Sequence, residues 1–194
     1  TIAGDNDVMP SNKDYGPWSY TGEVSNGLRH GCGTCTWSQN RWKSGKYKGR
    51  WKQGLRHGWG EEMWESGGYF KGDWFENMKQ GKGKLVSSSG TGHSTYEGDF
   101  HANKRHGKGR ETLSCGNDFD GYWHEDKKHG KGTFRWADGS DYSGEWYANN
   151  MHGKGKMVYA NGDIFDGDWK DDTKHGEGTM IYTDGRQYEG HFVE

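Results

Sequence analysis

Histidine is the residue with the clearest chemical potential in this sequence, because it recurs at a fixed place. Six histidines precede a Gly-x-Gly tripeptide, and Gln80 takes the same place in a seventh segment. The six are His30, His57, His106, His129, His152 and His175. Imidazoles could bind zinc, whose ligands lie about 2 Å from the ion. If each segment forms a β-hairpin in one sheet, equivalent histidines of successive segments lie about 10 Å apart, which is two strand spacings. We therefore expect no convergence of these histidines on one ion. We interpret each histidine as a hydrogen-bonding group that fixes its own His-Gly loop.

A second candidate is Cys32-Gly-Thr-Cys35, which has the CxxC spacing of metal and redox motifs. A structural zinc site needs four ligands, and the third cysteine, Cys115, lies three repeats away. Cys35 follows the histidine of its segment by five residues, as Phe134 and Met157 do in theirs, which favours a small core residue. So few cysteines are typical of a reducing compartment, and we expect a cytoplasmic protein.

The remaining chemistry-bearing patterns are weak. Gly153-Lys-Gly155 has the composition of a phosphate loop, but no helical periodicity follows it. No Ser-His-Asp order or isolated carboxylate pair stands out from the repeats. We therefore predict no catalytic residue, no metal site and no cofactor. The net charge of −2 argues against nucleic-acid binding, and no stretch of 18 apolar residues predicts a membrane span.

One register organises most of the chain into repeats of about 23 residues. We number positions from an aromatic residue (position 0), which glycine follows at position 2 and, in most copies, tryptophan at position 4. The starting aromatics are Tyr20, Tyr47, Phe70, Tyr96, Phe119, Tyr142, Phe165 and Tyr188. Seven full repeats and a partial eighth occupy residues 20–194, after an N-terminal extension or linker of residues 1–19. Because the chain starts without Met and stops within a repeat, we expect it to be a segment of a longer protein.

Alternation within each repeat predicts two β-strands. Side chains at positions 0, 2 and 4 share one face, because side chains alternate along a strand. The dipeptides Asp138-Gly139, Asn161-Gly162 and Asp184-Gly185 predict tight turns between repeats. Glycine at position 2 predicts that an aromatic ring of a neighbouring hairpin lies across it. The sequence thus predicts an all-β fold, an elongated single-layer antiparallel meander of tandem hairpins twisted into a rod or trough.

Tyr142-Ser-Gly-Glu-Trp146, His152-Gly-Lys-Gly155 and Asn161-Gly162 together resemble the MORN repeat. The resemblance covers residues 20–194, with Val24 and Gln80 as departures from the pattern. It implies a scaffold, dimerisation or partner-binding module, and the family name refers to membrane association. Members include junctophilins, plant phosphatidylinositol-phosphate kinases and radial-spoke head proteins, so the fold does not choose among these functions.

Charged side chains form two rows. Basic residues at positions 9 and 12 are predicted to line the loop edge of the sheet, and acidic residues at position 3 to lie opposite the aromatics. One interpretation is a solvated face with cross-strand pairs. The alternative is a basic edge that binds anionic phospholipid. The candidate lipid-binding residues are Arg56, Lys79, Arg105, Lys128, Lys131 and Lys174.

The aromatic face supplies the main functional hypothesis. A single sheet layer has no second layer to cover this face, so either its own twist or a partner covers it. The candidate partner-binding residues are Trp51, Trp74, Trp123, Trp146, Trp169, Tyr159 and Tyr182. We expect a non-catalytic scaffold that binds a protein partner or self-associates, in a cytoskeletal or ciliary assembly or at the membrane periphery. Peripheral phospholipid binding, and targeting of an enzyme encoded elsewhere in the chain, are the alternatives.

Overall fold

The chain folds into antiparallel strands joined by short turns. A computed structural model describes residues 18–38, 44–89 and 92–193. Within these ranges there are fifteen strands and no helix, which confirms the predicted all-β fold. The predicted extension of residues 1–19 lies outside the described residues except for Trp18 and Ser19, which belong to the first strand.

The strands fall into two compact units that divide between Ser88 and Ser89. The first unit contains β1 (Trp18–Ser25), β2 (Leu28–Trp37), β3 (Gly45–Lys52), β4 (Leu55–Trp64), β5 (Tyr69–Phe75) and β6 (Met78–Ser89), whose last residue crosses the boundary. The second contains β7 (Gly92–His101), β8 (Lys104–Thr112), β9 (Asp118–His124), β10 (Lys127–Arg135), β11 (Asp141–Tyr147), β12 (Asn150–Val158), β13 (Ile164–Lys170), β14 (Thr173–Ile181) and β15 (Gln187–Phe192).

Within each unit, every strand pairs antiparallel with the next strand along the chain, from β1 to β6 and from β7 to β15. A repeat contributes one hairpin, and the register places its two central glycines opposite each other. In the sixth repeat Gly144 faces Gly155, which in turn faces Gly167 of the next repeat. This is the predicted meander of tandem hairpins.

The aromatic residues of positions 0 and 4 form the core on one face of the sheet. Tyr142 is fully buried, and its ring lies over Gly144 and Gly155, where a Cβ atom would collide with it. The same ring meets Trp146 edge-on with centroids 5.3 Å apart, and Trp169 of the next repeat at 5.2 Å. The predicted ring over glycine is therefore confirmed, but the ring belongs to the same hairpin and not to a neighbouring one.

The tyrosines of position 0 are fixed by a hydrogen bond of the hydroxyl group as well as by the packing of the ring. The Tyr142 hydroxyl donates a hydrogen bond to the Glu145 carbonyl at 3.0 Å, and Tyr96 donates to the Asp99 carbonyl at 2.9 Å. Burial raises the pKa of the Tyr142 and Tyr96 hydroxyls well above the usual range, because the phenolate would lose its hydration. These rings are therefore fixed, neutral parts of the core.

The tightest turns lie inside the repeats. Positions 6 and 7 both have positive φ angles, as in Ala148 (φ 51°) and Asn149 (φ 84°), which is the geometry of a type I′ hairpin turn. The turns between repeats are wider. At Asp138-Gly139 only the glycine has a positive φ angle, of 92°. These wider turns are closed by a hydrogen bond from the glycine N–H, as from Gly139 to the Trp136 carbonyl at 3.1 Å. The predicted turns at the Asp-Gly and Asn-Gly dipeptides are therefore confirmed, whereas the type I′ turn inside each repeat was missed by the sequence prediction.

In the third, fifth, sixth and seventh repeats, the Asn or Asp at the second turn position also fastens its hairpin to the one before it. Asn149 accepts the backbone N–H of Lys128 through Oδ1 at 2.9 Å, and its own N–H donates to the Lys128 carbonyl at 3.0 Å. Asp126 and Asp172 hold Arg105 and Met151 in the same way. The side chain at position 7 is thus an inter-repeat clip.

Replacing Asn149 with alanine should lower the free energy of unfolding by about 2 kcal/mol. The change removes one hydrogen bond, worth about 1 kcal/mol, and places a Cβ-bearing residue without a polar side chain in the left-handed region. Urea unfolding followed by far-UV circular dichroism measures the loss. Asn149→Asp is the matched control, since aspartate fills this place in the fifth and seventh repeats; an equal loss in both variants would contradict the clip.

Candidate functional site

The five tryptophans predicted to bind a partner are core residues of this chain. Trp51, Trp74, Trp123, Trp146 and Trp169 are only 2 to 5% exposed. Each indole Nε1 donates to the carbonyl of the position-13 glycine of the preceding repeat, at 3.0 to 3.3 Å. The indoles therefore join successive hairpins, and a partner on this face would first meet the side chains that cover them.

Cations of position 9 provide part of that cover. The Arg56 guanidinium lies 4.3 Å from the Trp74 ring centroid and forms an ion pair with Glu62. Arg105 lies 4.2 Å from the Trp123 centroid and pairs with Glu111 in the same manner. A guanidinium over an indole face is attracted by the ring quadrupole.

Lysines of position 9 pack in the same place. Lys128 Nζ lies 4.2 Å from the Phe134 centroid and 5.2 Å from that of Trp146, and burial lowers the pKa of this lysine. Lys174 Nζ lies 5.1 Å from the centroids of both Tyr159 and Phe165. The corresponding residue in the first unit, Lys79, lies 5.0 Å from the Trp64 centroid.

The predicted basic row along a loop edge is therefore corrected for position 9. Because the tight turn occupies positions 6 and 7, position 9 is already within the second strand and faces the aromatic core. Arg56 is buried, and Lys79, Arg105, Lys128 and Lys174 are half-buried. Lys131, at position 12, is exposed.

Position 17 forms the rim of the aromatic face. Trp136, Tyr159 and Tyr182 stand there in three successive repeats of the second unit, all half-buried. Beside Tyr159 is an open depression of about 460 Å³. Its lining is Asp138, Ser140, Tyr159, Ala160, Asn161, Asp163, Lys174 and Met180. Of the residues predicted to bind a partner, Tyr159 and Tyr182 are thus the ones that a ligand can reach.

The carboxylates of position 3 have a local structural role. Asp99 accepts the backbone N–H of Lys108 at 3.0 Å, and Asp168 accepts that of Glu177 at 3.1 Å. These bonds close the bulge at the His-Gly step, where the backbone of Gly176 has a φ angle of 57°. Asp168 also pairs with Lys154 at 2.7 Å, and this hydrogen-bonded partner lowers the pKa of the carboxyl group.

The histidines of position 10 do not all hold their own loops as predicted. The Nδ1 atoms of His152 and His175 are buried without a hydrogen-bond partner. The rings instead contact side chains of position 5 on the face opposite the tryptophans. His57 lies against Phe75 with centroids 5.2 Å apart, and His129 lies against Tyr147 at 5.4 Å.

The three cysteines are free. Cys35 is fully buried, which confirms its predicted place in the core, and burial raises the pKa of its thiol. Its Sγ accepts a long hydrogen bond from Arg29 at 3.6 Å. Cys32 and Cys115 are exposed. In the described ranges, no helix is long and apolar enough to cross a membrane.

Several of these contacts escaped the sequence prediction although a signal for some was present. Arg56 precedes Glu62 by six residues, and Arg105 precedes Glu111 by the same spacing. That co-occurrence at positions 9 and 15 indicates two side chains on one face of a strand. The clip at position 7 had a weaker signal in the recurrence of Asn and Asp.

A comparison with protein families agrees with the geometry. The model of the MORN repeat matches residues 20–40, 47–69, 70–92, 96–116, 119–141, 142–164 and 165–185. No curated protein matches the sequence. The matched segments coincide with the structural hairpins and together cover most of the chain. This protein therefore belongs to the MORN repeat family.

Proposed function

We propose that this chain is a non-catalytic scaffold that binds a protein partner through the aromatic face of its second unit. MORN repeats serve as protein- and membrane-interaction modules, so binding is the general role that family membership gives. The observation that favours a protein is the rim of Trp136, Tyr159 and Tyr182. Aromatic side chains with an apolar body and a polar tip are enriched where proteins meet.

The depression beside Tyr159 adds shape to this rim. Met180 and the tyrosine ring offer apolar surface, while Lys174, Asp138 and Asp163 offer charges of both signs. An aliphatic or aromatic side chain of a partner segment would fill the depression, and polar groups around it would fix the orientation of that segment. Successive rim residues are about 10 Å apart, so a segment that lies along the rim can contact several repeats. In the wider proposal, the assembly is cytoskeletal or ciliary and cytoplasmic.

The lipid alternative receives less support. A membrane attracts lysines and arginines that reach its surface, whereas the position-9 cations are packed against aromatic rings. Exposed lysines remain at position 12, on the other face, as Lys108 and Lys131 show. Lys131 would then be the candidate that a phospholipid surface could reach.

The expected result for a Tyr159→Ser/Tyr182→Ser variant is at least a tenfold loss of captured partner. Immobilised wild-type and variant chains would be compared by quantitative mass spectrometry of proteins retained from cell extract. The matched control is Tyr122→Ser/Tyr147→Ser, because these tyrosines are 47% and 58% exposed and lie on the opposite face. Equal loss in both variants, or unchanged capture in the first, would contradict the proposal.

Sedimentation with vesicles tests the alternative separately. Vesicles of phosphatidylcholine with 20% phosphatidylserine, at low and at moderate salt, should not retain the chain under the scaffold proposal. Retention that falls with salt and is lost in Lys131→Ala would instead support the lipid surface.

A further inference from the structure

Position 10 of one repeat and position 5 of the next stand opposite each other on neighbouring strands. Gly107 of β8 pairs with Trp123 of β9, so the next residues in register are His106 and His124. Their ring centroids are 5.2 Å apart and the ring planes are inclined by 53°. At the equivalent places His57 faces Phe75, and His129 faces Tyr147. The fourth and fifth repeats thus bring two imidazoles together where these other pairs hold one.

We propose that His106 and His124 form a two-histidine site for a divalent transition-metal ion such as Ni²⁺, Cu²⁺ or Zn²⁺. Imidazole nitrogen suits these ions. The site lies on the face opposite the tryptophan stack and is independent of partner binding there.

The distance between the rings fits one shared ion. Zinc–nitrogen bonds are about 2.0–2.1 Å long, so two imidazoles on one ion have ring centres within about 6.5 Å. The 5.2 Å between His106 and His124 is inside this limit and is shorter than the 5.7 Å that separates each of them from the next histidine in the row. The spacing of about 10 Å between histidines of position 10 does not apply here. His124 comes from position 5 and lies on the strand next to that of His106.

The ion can also reach the site. His124 is exposed and His106 is half-buried, so both rings border solvent. The row continues to His101, 5.7 Å from His106, and to His129, 5.7 Å from His124. Among the described residues, no three His, Cys, Asp or Glu side chains are grouped around one point. The protein therefore supplies two ligands, and water completes the coordination shell.

Isothermal titration of the intact chain with Ni²⁺ tests the site. His124→Tyr and His106→Gln should each weaken binding at least tenfold. Both substitutions use side chains that other repeats carry at the same place, Tyr147 at position 5 and Gln80 at position 10. His30→Gln, in the first unit, is the matched control and should leave the affinity unchanged. Circular dichroism verifies the fold of each variant.

A gain of function makes the test independent of any loss of folding. Tyr147→His places a second imidazole opposite His129 and should add one equivalent of bound Ni²⁺. Electron paramagnetic resonance of bound Cu²⁺ should show two nitrogen donors in the wild type and one in His124→Tyr. Unchanged affinity in both loss variants would overturn the site. A loss in only one of the two variants would also overturn it, because the ion would then lie between His101 and His106 or between His124 and His129.

Discussion

Replacing Trp146 with alanine is expected to lower the free energy of unfolding by about 3–5 kcal/mol, the usual cost of removing a buried tryptophan. The indole is 5% exposed and meets the rings of Tyr142 and Phe119 edge-on, both with centroids 5.3 Å away. Its Nε1 donates to the Gly132 carbonyl at 3.1 Å. The substitution therefore removes contacts within the sixth repeat and between it and the fifth at once.

Trp146→Phe keeps an aromatic ring in the core but removes the hydrogen bond of the indole N–H. Phe100 holds position 4 in the fourth repeat, where it meets Tyr96 at 5.1 Å, so phenylalanine fits this place. The remaining loss should be about 1–2 kcal/mol, mostly from the unpaired Gly132 carbonyl. Urea unfolding of the intact chain, followed by far-UV circular dichroism, measures both variants. A loss below about 1 kcal/mol for Trp146→Ala would show that the indole is not part of the core.

Gly155→Ala should be destabilising by about 3 kcal/mol, at the upper end of ordinary overpacking. An added Cβ would collide with the hydroxyl and the ring carbons of Tyr142. That ring has little room to move, because Trp146 and Trp169 contact it on two sides and its hydroxyl donates a hydrogen bond to the Glu145 carbonyl. Because the collision exists only in the folded state, we expect the loss of stability to arise there and not in the unfolded chain.

Two comparisons isolate this cause. Gly185→Asn changes a glycine with a φ angle of 88° and no atom near its Cβ position, so its stability should stay within about 0.5 kcal/mol of the wild type. Combining Gly155→Ala with Tyr142→Leu should cost less than the sum of the two single changes, because the shorter side chain leaves room for the methyl group. Strict additivity would argue against a collision between residues 142 and 155.

The prediction for the basic residues failed because the turn inside each repeat is shorter than the sequence suggests. Arg56 and Arg105 seemed to belong to a loop because a polar stretch surrounds them in the sequence. The type I′ turn is only two residues long, so the strand resumes earlier than the composition suggests. Side-chain direction depends on that register, and one residue of shift moves a side chain to the other face.

The contact between two histidines could not be predicted by comparing equivalent positions of successive repeats. Comparison of position 10 with position 10 gave a spacing of about 10 Å, which separates the rings. The contact between His106 and His124 joins position 10 to position 5 of the next hairpin. Such a pair becomes visible only when the register between neighbouring strands is known.

The sequence by itself determined the repeat, the strands and the aromatic core, since alternation and the glycine–aromatic spacing are local properties of a strand. The fifteen strands within the described residues and the fully buried Cys35, Phe119 and Tyr142 agree with that prediction. Tertiary structure alone decided which side chains meet across repeats: Arg105 over Trp123, Asn149 on Lys128, and His124 beside His106. These contacts depend on strand register and on turn geometry, which a pattern within one repeat does not contain.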